Sequence, residues 1–142
     1  MGLNVLIVDD SSLMRAIIVK TLRLSGIPLQ TVYEAGNGSE ALRMLDNNWI
    51  DLALVDLNMP VMDGEELIVR LRENPETTGL PVIVVSTEGS ETRIAKLRSL
   101  GAGFVRKPFQ PETLRDIIVG LTGVSNEQSV GEETLPSSGT DF

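Results

Sequence analysis

The sequence has no cysteine and no histidine. The first absence excludes a disulfide framework and thiolate metal sites, and the second removes imidazole as a base or ligand, so a metal would have to be held by oxygen. Basic residues are also scarce: 12 Lys and Arg against 20 Asp and Glu leave a formal charge of -8. A body this poor in positive charge argues against direct nucleic-acid binding, which needs Lys and Arg to displace phosphate counterions. No run approaches the roughly 18 apolar residues of a membrane span, and the N-terminus lacks a basic segment followed by an apolar one. Neither membrane insertion nor export is indicated, and a cytoplasmic protein is expected.

What the chain does have is 142 residues, enough for one domain with a real core. Half of the excess negative charge sits in residues 123–142, where Glu127, Glu132, Glu133 and Asp141 occur without any Lys or Arg. That stretch has no apolar period and is rich in Ser, Gly, Glu and Pro, so it reads as a tail or linker following a domain over residues 1–122.

Short continuous apolar runs occur at Leu3 to Val8, Leu52 to Val55 and Val82 to Val85. They are too short for helices and do not alternate, which is the pattern of parallel strands buried on both faces. Gln30 to Glu34 and Gly103 to Arg106 are weaker strand candidates. Between them, residues three and four apart place apolar side chains on one helical face: Leu13, Ile17, Ile18 and Leu22; Ala41, Leu42 and Leu45; Leu67, Ile68 and Leu71; Ile94, Ala95 and Leu97; Leu114, Ile117, Ile118 and Leu121. Ser11 or Ser12 suits an N-cap, Asn37 with Glu40 resembles a capping box, Pro111 suits a first helical turn, and Gly26 and Gly101 suit helix stops. Five alternations of strand and helix predict an α/β fold, a doubly wound five-stranded parallel sheet with helices on both faces.

In such a sheet the crevice opens at the carboxyl ends of the strands. Asp9 and Asp10 follow the first run and Asp56 ends the third strand, so three carboxylates converge there. As bare charges they repel one another unless a cation offsets them, although an Asp pair alone also reads as helix caps. Oxygen ligands in an open site suit Mg²⁺ or Mn²⁺. With charge neutralised, Asp56 can act as a nucleophile toward a phosphoryl group. Lys107 and Ser86 end neighbouring strands on the same rim and would face the phosphoryl oxygens. A surface lysine and a turn serine are their plainer readings.

The stretches Leu6-Ile7-Val8-Asp9-Asp10, Val55-Asp56-Leu57-Asn58-Met59-Pro60-Val61-Met62-Asp63-Gly64, Val84-Val85-Ser86 and Val105-Arg106-Lys107-Pro108-Phe109 together resemble the receiver domain of bacterial two-component response regulators, of the single-domain chemotaxis type. The resemblance covers about residues 3 to 121. It implies a flavodoxin-like fold with strand order 2-1-3-4-5. It further implies a phosphoacceptor at Asp56, metal binding by Asp9, Asp10, Asp56 and the Asn58 backbone carbonyl, and a cis peptide at Lys107-Pro108. Lys107 and Ser86 would contact the phosphoryl group, and Asp63 becomes a turn or cap before Gly64.

The same resemblance makes Ser86 and Phe104 a switch pair. Phe104 lacks a tyrosine hydroxyl, so switching would rest on packing, and an ordinary core ring is the alternative. Asn58, Thr87 and Glu88 would tune phosphorylation and hydrolysis rates. The implied partners are a histidine kinase or phosphotransfer protein, and a downstream protein docking on the helix that carries Arg93, Lys96 and Arg98; a solvated basic face is the plainer reading of that cluster. A monomer or weak dimer is expected, with no catalysis beyond its own phosphorylation and dephosphorylation. No output domain is legible after residue 121, so the signal is expected to leave through a partner, the alternative being a fragment of a longer regulator. Two other functions are weaker. A phosphatase with an aspartyl nucleophile would want a second acid where Asn58 stands, and a flavodoxin-like cofactor binder would not place Asp9 and Asp10 against a phosphate. Trp49, well before Asp56, is expected to report phosphorylation poorly.

Overall fold

The computed structural model describes residues 2–87 and 90–124. Glu88 and nearly all of the 123–142 tail lie outside the described residues. Five strands, β1 (Leu3–Val8), β2 (Leu29–Ala35), β3 (Leu52–Asp56), β4 (Val82–Ser86) and β5 (Gly103–Arg106), alternate with five helices, α1 (Ser12–Leu24), α2 (Gly38–Asn47), α3 (Gly64–Glu73), α4 (Glu91–Ser99) and α5 (Pro111–Thr122). All strand pairs are parallel, in the order β2-β1-β3-β4-β5. No helix among the described residues is long and apolar enough to cross a membrane.

The continuous apolar runs are explained by the two cores they serve. Alternate side chains of β1, β3 and β4 point to opposite faces. Leu6, Val8, Ala53, Val55, Val82 and Val84 meet Ala41 of α2, Leu67, Ile68 and Leu71 of α3 and Leu97 of α4. On the other face Val5, Ile7, Leu52, Leu54, Ile83 and Val85 meet Ile18 and Leu22 of α1 and Leu114 and Ile118 of α5. Each fully buried Leu or Ile contributes about 1.5–3 kcal/mol of transfer free energy.

Three helical faces differ from the periodicity reading; on α5 Leu121 is 37% exposed beyond the buried Leu114 and Ile118. Leu13 is 71% and Ile17 46% exposed, whereas Ile18 and Leu22 are buried. Adjacent positions lie about 100° apart on a helix. A single stripe therefore takes Ile18 and Leu22, with Met14 alongside, and leaves the Leu13–Ile17 line outside. Ala95 is exposed for the same reason, beside the buried Ile94 and Leu97.

The helix ends follow their capping residues. Ser11 Oγ accepts from the Met14 amide, Asn37 from that of Glu40, and Asp63 from that of Glu66. The Asn37 box is displaced by one residue: the Glu40 carboxylate accepts from the Gly36 amide at 2.8 Å rather than from the cap itself. Pro111 occupies the first turn of α5. Gly26 (φ 82°) and Gly101 (φ 80°) take the left-handed conformation just beyond α1 and α4. Val124, at the start of the expected tail, still packs against the α1/α5 core.

Val61, in the loop after β3, also has positive φ, 72°. For a β-branched residue this costs about 1–3 kcal/mol. Its side chain is 83% exposed, so little packing would be lost on truncation. Val61→Gly is therefore expected to raise the urea midpoint by the equivalent of about 1 kcal/mol, net of the extra unfolded-chain entropy; a lower midpoint would show that the loop holds the valine without strain.

Candidate functional site

The sheet order puts β1 and β3 side by side at its centre while the chain leaves them in opposite directions, opening a crevice at their carboxyl ends. Val8 pairs with Val55, Asp56 with Val85, and Ser86 with Arg106. The residues next along each strand, Asp9, Asp56, Ser86 and Lys107, therefore form one rim. Oxygens of Asp9, Asp10 and Asp56 all lie within 4.8 Å of one another. Asp9, Asp56 and Ser86 are buried, at 2%, 8% and 1% exposure, whereas Asp10 stands in solvent.

Local bonds fix the Asp9 turn. Its amide donates to the Ala35 carbonyl at 3.1 Å, and its Oδ1 accepts from the Ser11 amide at 2.9 Å. Arg15 of α1 donates to the Asp9 carbonyl at 2.6 Å while its Nε holds Glu34 at 2.8 Å. Periodicity did not single out Arg15, because one partner is a backbone oxygen and the other, Glu34, lies 19 positions away on another element. The other carboxylate oxygen, Asp9 Oδ2, is buried without a hydrogen-bond partner, with Lys107 Nζ 3.6 Å away. A buried charged oxygen left without a donor is costly.

Lys107 Nζ also lies 3.5 Å from Asp56 Oδ1. Both separations exceed the roughly 2.7–2.9 Å of a tight charge-assisted bond, so the ammonium is shared between two carboxylates and locked to neither. Its backbone amide donates to the Ser86 carbonyl at 2.9 Å, which ties the fourth and fifth strand ends together. The Lys107-Pro108 peptide is cis, as the resemblance implied. Burial raises the Asp56 pKa above its ordinary value; Lys107 pulls it back, and Asp9 and Asp10 push it further up.

Three carboxylates, one with an orphaned oxygen, form a donor set suited to a hard divalent cation. Asn58 is exposed in the loop two residues beyond Asp56, and Thr87 is exposed just past Ser86. Asp63 stands apart from the site as the α3 cap, as expected. Phe104 pairs with Val84 in the sheet, packs against the core that includes Leu97, and carries the Arg106 guanidinium 5.9 Å from its ring centre. On α4, Lys96 Nζ lies 2.7 Å and Arg93 Nε 3.5 Å from the carboxylate of Glu65 on α3. The basic cluster is thus partly neutralised within the fold, and those two cations lower the Glu65 pKa, with the Lys96 hydrogen bond contributing most.

Known proteins similar in sequence and in fold are numerous. Residues 5–119 match the response regulator receiver domain. A chemotaxis protein CheY homolog of Campylobacter jejuni is 33% identical over 132 residues, covering 92% of this chain and all of that protein. Chemotaxis protein CheY1 of Helicobacter pylori is 34% identical over 126 residues, covering 87% of this chain and all of its own length. Among solved structures, chemotaxis protein CheY4 of Vibrio cholerae superposes with a TM-score of 0.75 at 33% identity, over 85% of this chain and 99% of its own. With the sheet order, the acidic crevice and the lysine on its rim already in place, these likenesses identify the chain as a member of the response regulator receiver domain family.

Proposed function

We propose that the chain takes a phosphoryl group onto Asp56 from a histidine kinase or phosphotransfer protein and thereby changes its binding to a downstream protein. The observation that carries this reading is the convergence of the Asp9, Asp10 and Asp56 oxygens within 4.8 Å, with the Lys107 ammonium 3.5 Å from Asp56. An Asp56 carboxylate oxygen attacks phosphorus, the P–N bond to the donor imidazole breaks with its electron pair returning to nitrogen, and an acyl phosphate forms. Lys107, shared loosely between two carboxylates, turns to the new phosphoryl oxygens, and the Ser86 hydroxyl donates to another. Asp9, Asp10, Asp56 and the Asn58 backbone carbonyl would hold Mg²⁺ or Mn²⁺, which would offset the carboxylate charge and that of the incoming phosphoryl group. Asn58 has no proton to give a leaving group, which favours a self-modifying switch over a phosphatase.

The receiver unit spans residues 1–122, with 123–142 as tail or linker, and it works in the cytoplasm as a monomer or weak dimer. Leu13 and Ile17, exposed on the first turns of α1 beside Asp10 and Ser11, offer the phosphodonor an apolar foothold next to the site. The output face lies on α4 and β5. Arg98 makes no ion pair among the described residues, and Lys96 becomes available when its hold on Glu65 is released. Phe104, which has no hydroxyl, couples the site to that face by packing under Arg106.

Incubation with acetyl phosphate and Mg²⁺ followed by intact-mass measurement tests the central claim. One phosphoryl group, labile to hydroxylamine, is expected; no mass gain sinks it. The metal assignment has a separate check. Saturating Mg²⁺ at about 100 times its dissociation constant should stabilise the protein by about 2.7 kcal/mol. In the Asp9→Asn/Asp10→Asn double variant the melting temperature without metal should rise through relieved repulsion while the Mg²⁺-dependent increment disappears. An increment that survives in the double variant would put the ion elsewhere.

A further inference from the structure

At the end of the sheet opposite the acidic crevice, the segment leading into β3 and the loop between α3 and β4 enclose an open groove of about 790 Å³. This is within the size range of ordinary ligand sites. Its most prominent side chain is Trp49, the only tryptophan in the chain and 77% exposed. An exposed indole is the costliest side chain to leave in water, yet this one is held in place. Its Nε1 donates to Asp51 Oδ1 at 2.8 Å, and Asp51 Oδ2 accepts from the Asn4 amide at 2.8 Å. The ring edge is thereby anchored to the start of the sheet while most of the ring remains in solvent.

The charge around the ring has one sign. Asp46, Asp51 and Glu76 line the groove, and none of its lining residues is Lys or Arg. None of the three carboxylates has an ion-pair partner among the described residues. Arg72, half-buried, lines a neighbouring hollow and spends its donors on the carbonyls of Leu100, Thr78 and Leu80. A fixed aromatic face in a groove also lined by Asp46 and Glu76, neither in an ion pair among the described residues, is complementary to a guanidinium, which stacks on indole and binds carboxylates through its planar fork.

We propose that this groove docks an arginine-bearing segment of a partner protein, at a site separate from the phosphoacceptor crevice. The commitment to arginine rests on the charge complementarity and the oriented indole together. Lysine would satisfy the carboxylates but would stack on the ring less well.

Trp49 is its own reporter. The probe is the peptide acetyl-Gly-Arg-Gly-Arg-Gly-amide, titrated into the full chain at low salt with saturating Mg²⁺ to occupy the distant carboxylates. A saturable change in tryptophan emission is expected, weakening severalfold in 0.3 M NaCl, and at least fivefold in the Asp46→Asn/Glu76→Gln double variant. Both substitutions are at exposed positions, so an unchanged melting temperature confirms that the fold is intact. The Lys counterpart should bind several times more weakly, and Asp56→Asn should leave the response unaltered. No saturable change, equal binding by the double variant, or loss of the response in Asp56→Asn would each overturn the assignment. Equal affinity for arginine amide alone would also overturn it, since the groove would then select a small cation rather than a protein segment.

Discussion

Asp56→Asn is expected to abolish phosphoryl uptake from acetyl phosphate while making the metal-free protein harder to melt at neutral pH. The loss is complete because no neighbour can stand in. Asp9 is buried beside Lys107 with one oxygen bound to the Ser11 amide, and Asp10 projects into solvent. If intact-mass measurement shows the variant gaining a phosphoryl group as readily as the wild type, Asp56 is not the acceptor.

The stability gain follows from the sign of the pKa shift. Burial raises the Asp56 pKa in the folded state above its ordinary 3.8, against the pull of Lys107. The charged carboxylate is therefore a cost to the folded state, present at neutral pH and relieved as the pH falls through the raised value toward 3.8. Asparagine carries no such cost. In EDTA at pH 7 the variant should melt a few degrees higher, and the difference should shrink as the pH approaches the ordinary carboxylate range. A lower melting temperature at pH 7 would mean that attraction to Lys107 outweighs burial, so that removing the charge removes more than it relieves. Functional groups arranged at a cost to stability are common at sites built for chemistry.

The site was legible in the sequence because its residues sit where continuous apolar runs stop. A buried strand interior admits no charge, so Asp9 after Val8, Asp56 after Val55 and Lys107 after β5 mark strand ends. Strand bounds were legible to within a residue for the same reason, and β2, with exposed Gln30 and Thr31 at the sheet edge, was the least regular. Strand order was carried by the resemblance, since periodicity says which faces are buried and not which strand lies beside which.

Three features were not legible. The orientation of α1 depended on which of two adjacent apolar lines the sheet would cover, and Ile17 and Ile18 are equally apolar. Arg72 acts on backbone carbonyls, and Arg15 joins the Asp9 carbonyl to Glu34 across 19 positions, so neither is marked by helix or strand spacing. The Glu65 pairs join α3 to α4 across 28 and 31 positions, beyond the reach of helix-spacing rules, and they change what the basic α4 face can offer.

Gly64→Ala is expected to be the most damaging single methyl in the chain. Gly64 opens α3, and its amide donates to the Leu57 carbonyl at 2.9 Å, which draws the helix start against the end of β3. A Cβ built there would overlap the Asp56 carbonyl oxygen and lie 2.9 Å from Leu57 Cα. The obstacle is backbone, which cannot rotate aside as a side chain can. Either the helix start backs away, losing the Leu57 bond, or the end of β3 moves and carries Asp56 off the rim. Overpacking of this kind costs about 3 kcal/mol, roughly 10 °C in melting temperature, and phosphorylation by acetyl phosphate should slow in step with the displaced acceptor. Gly120→Ala is the internal control: it lies within α5 with nothing within 4 Å of the added carbon, so better helix propensity should raise the melting temperature by a few degrees. If Gly64→Ala melts like the wild type and phosphorylates at the same rate, the close approach between α3 and β3 is not what positions Asp56.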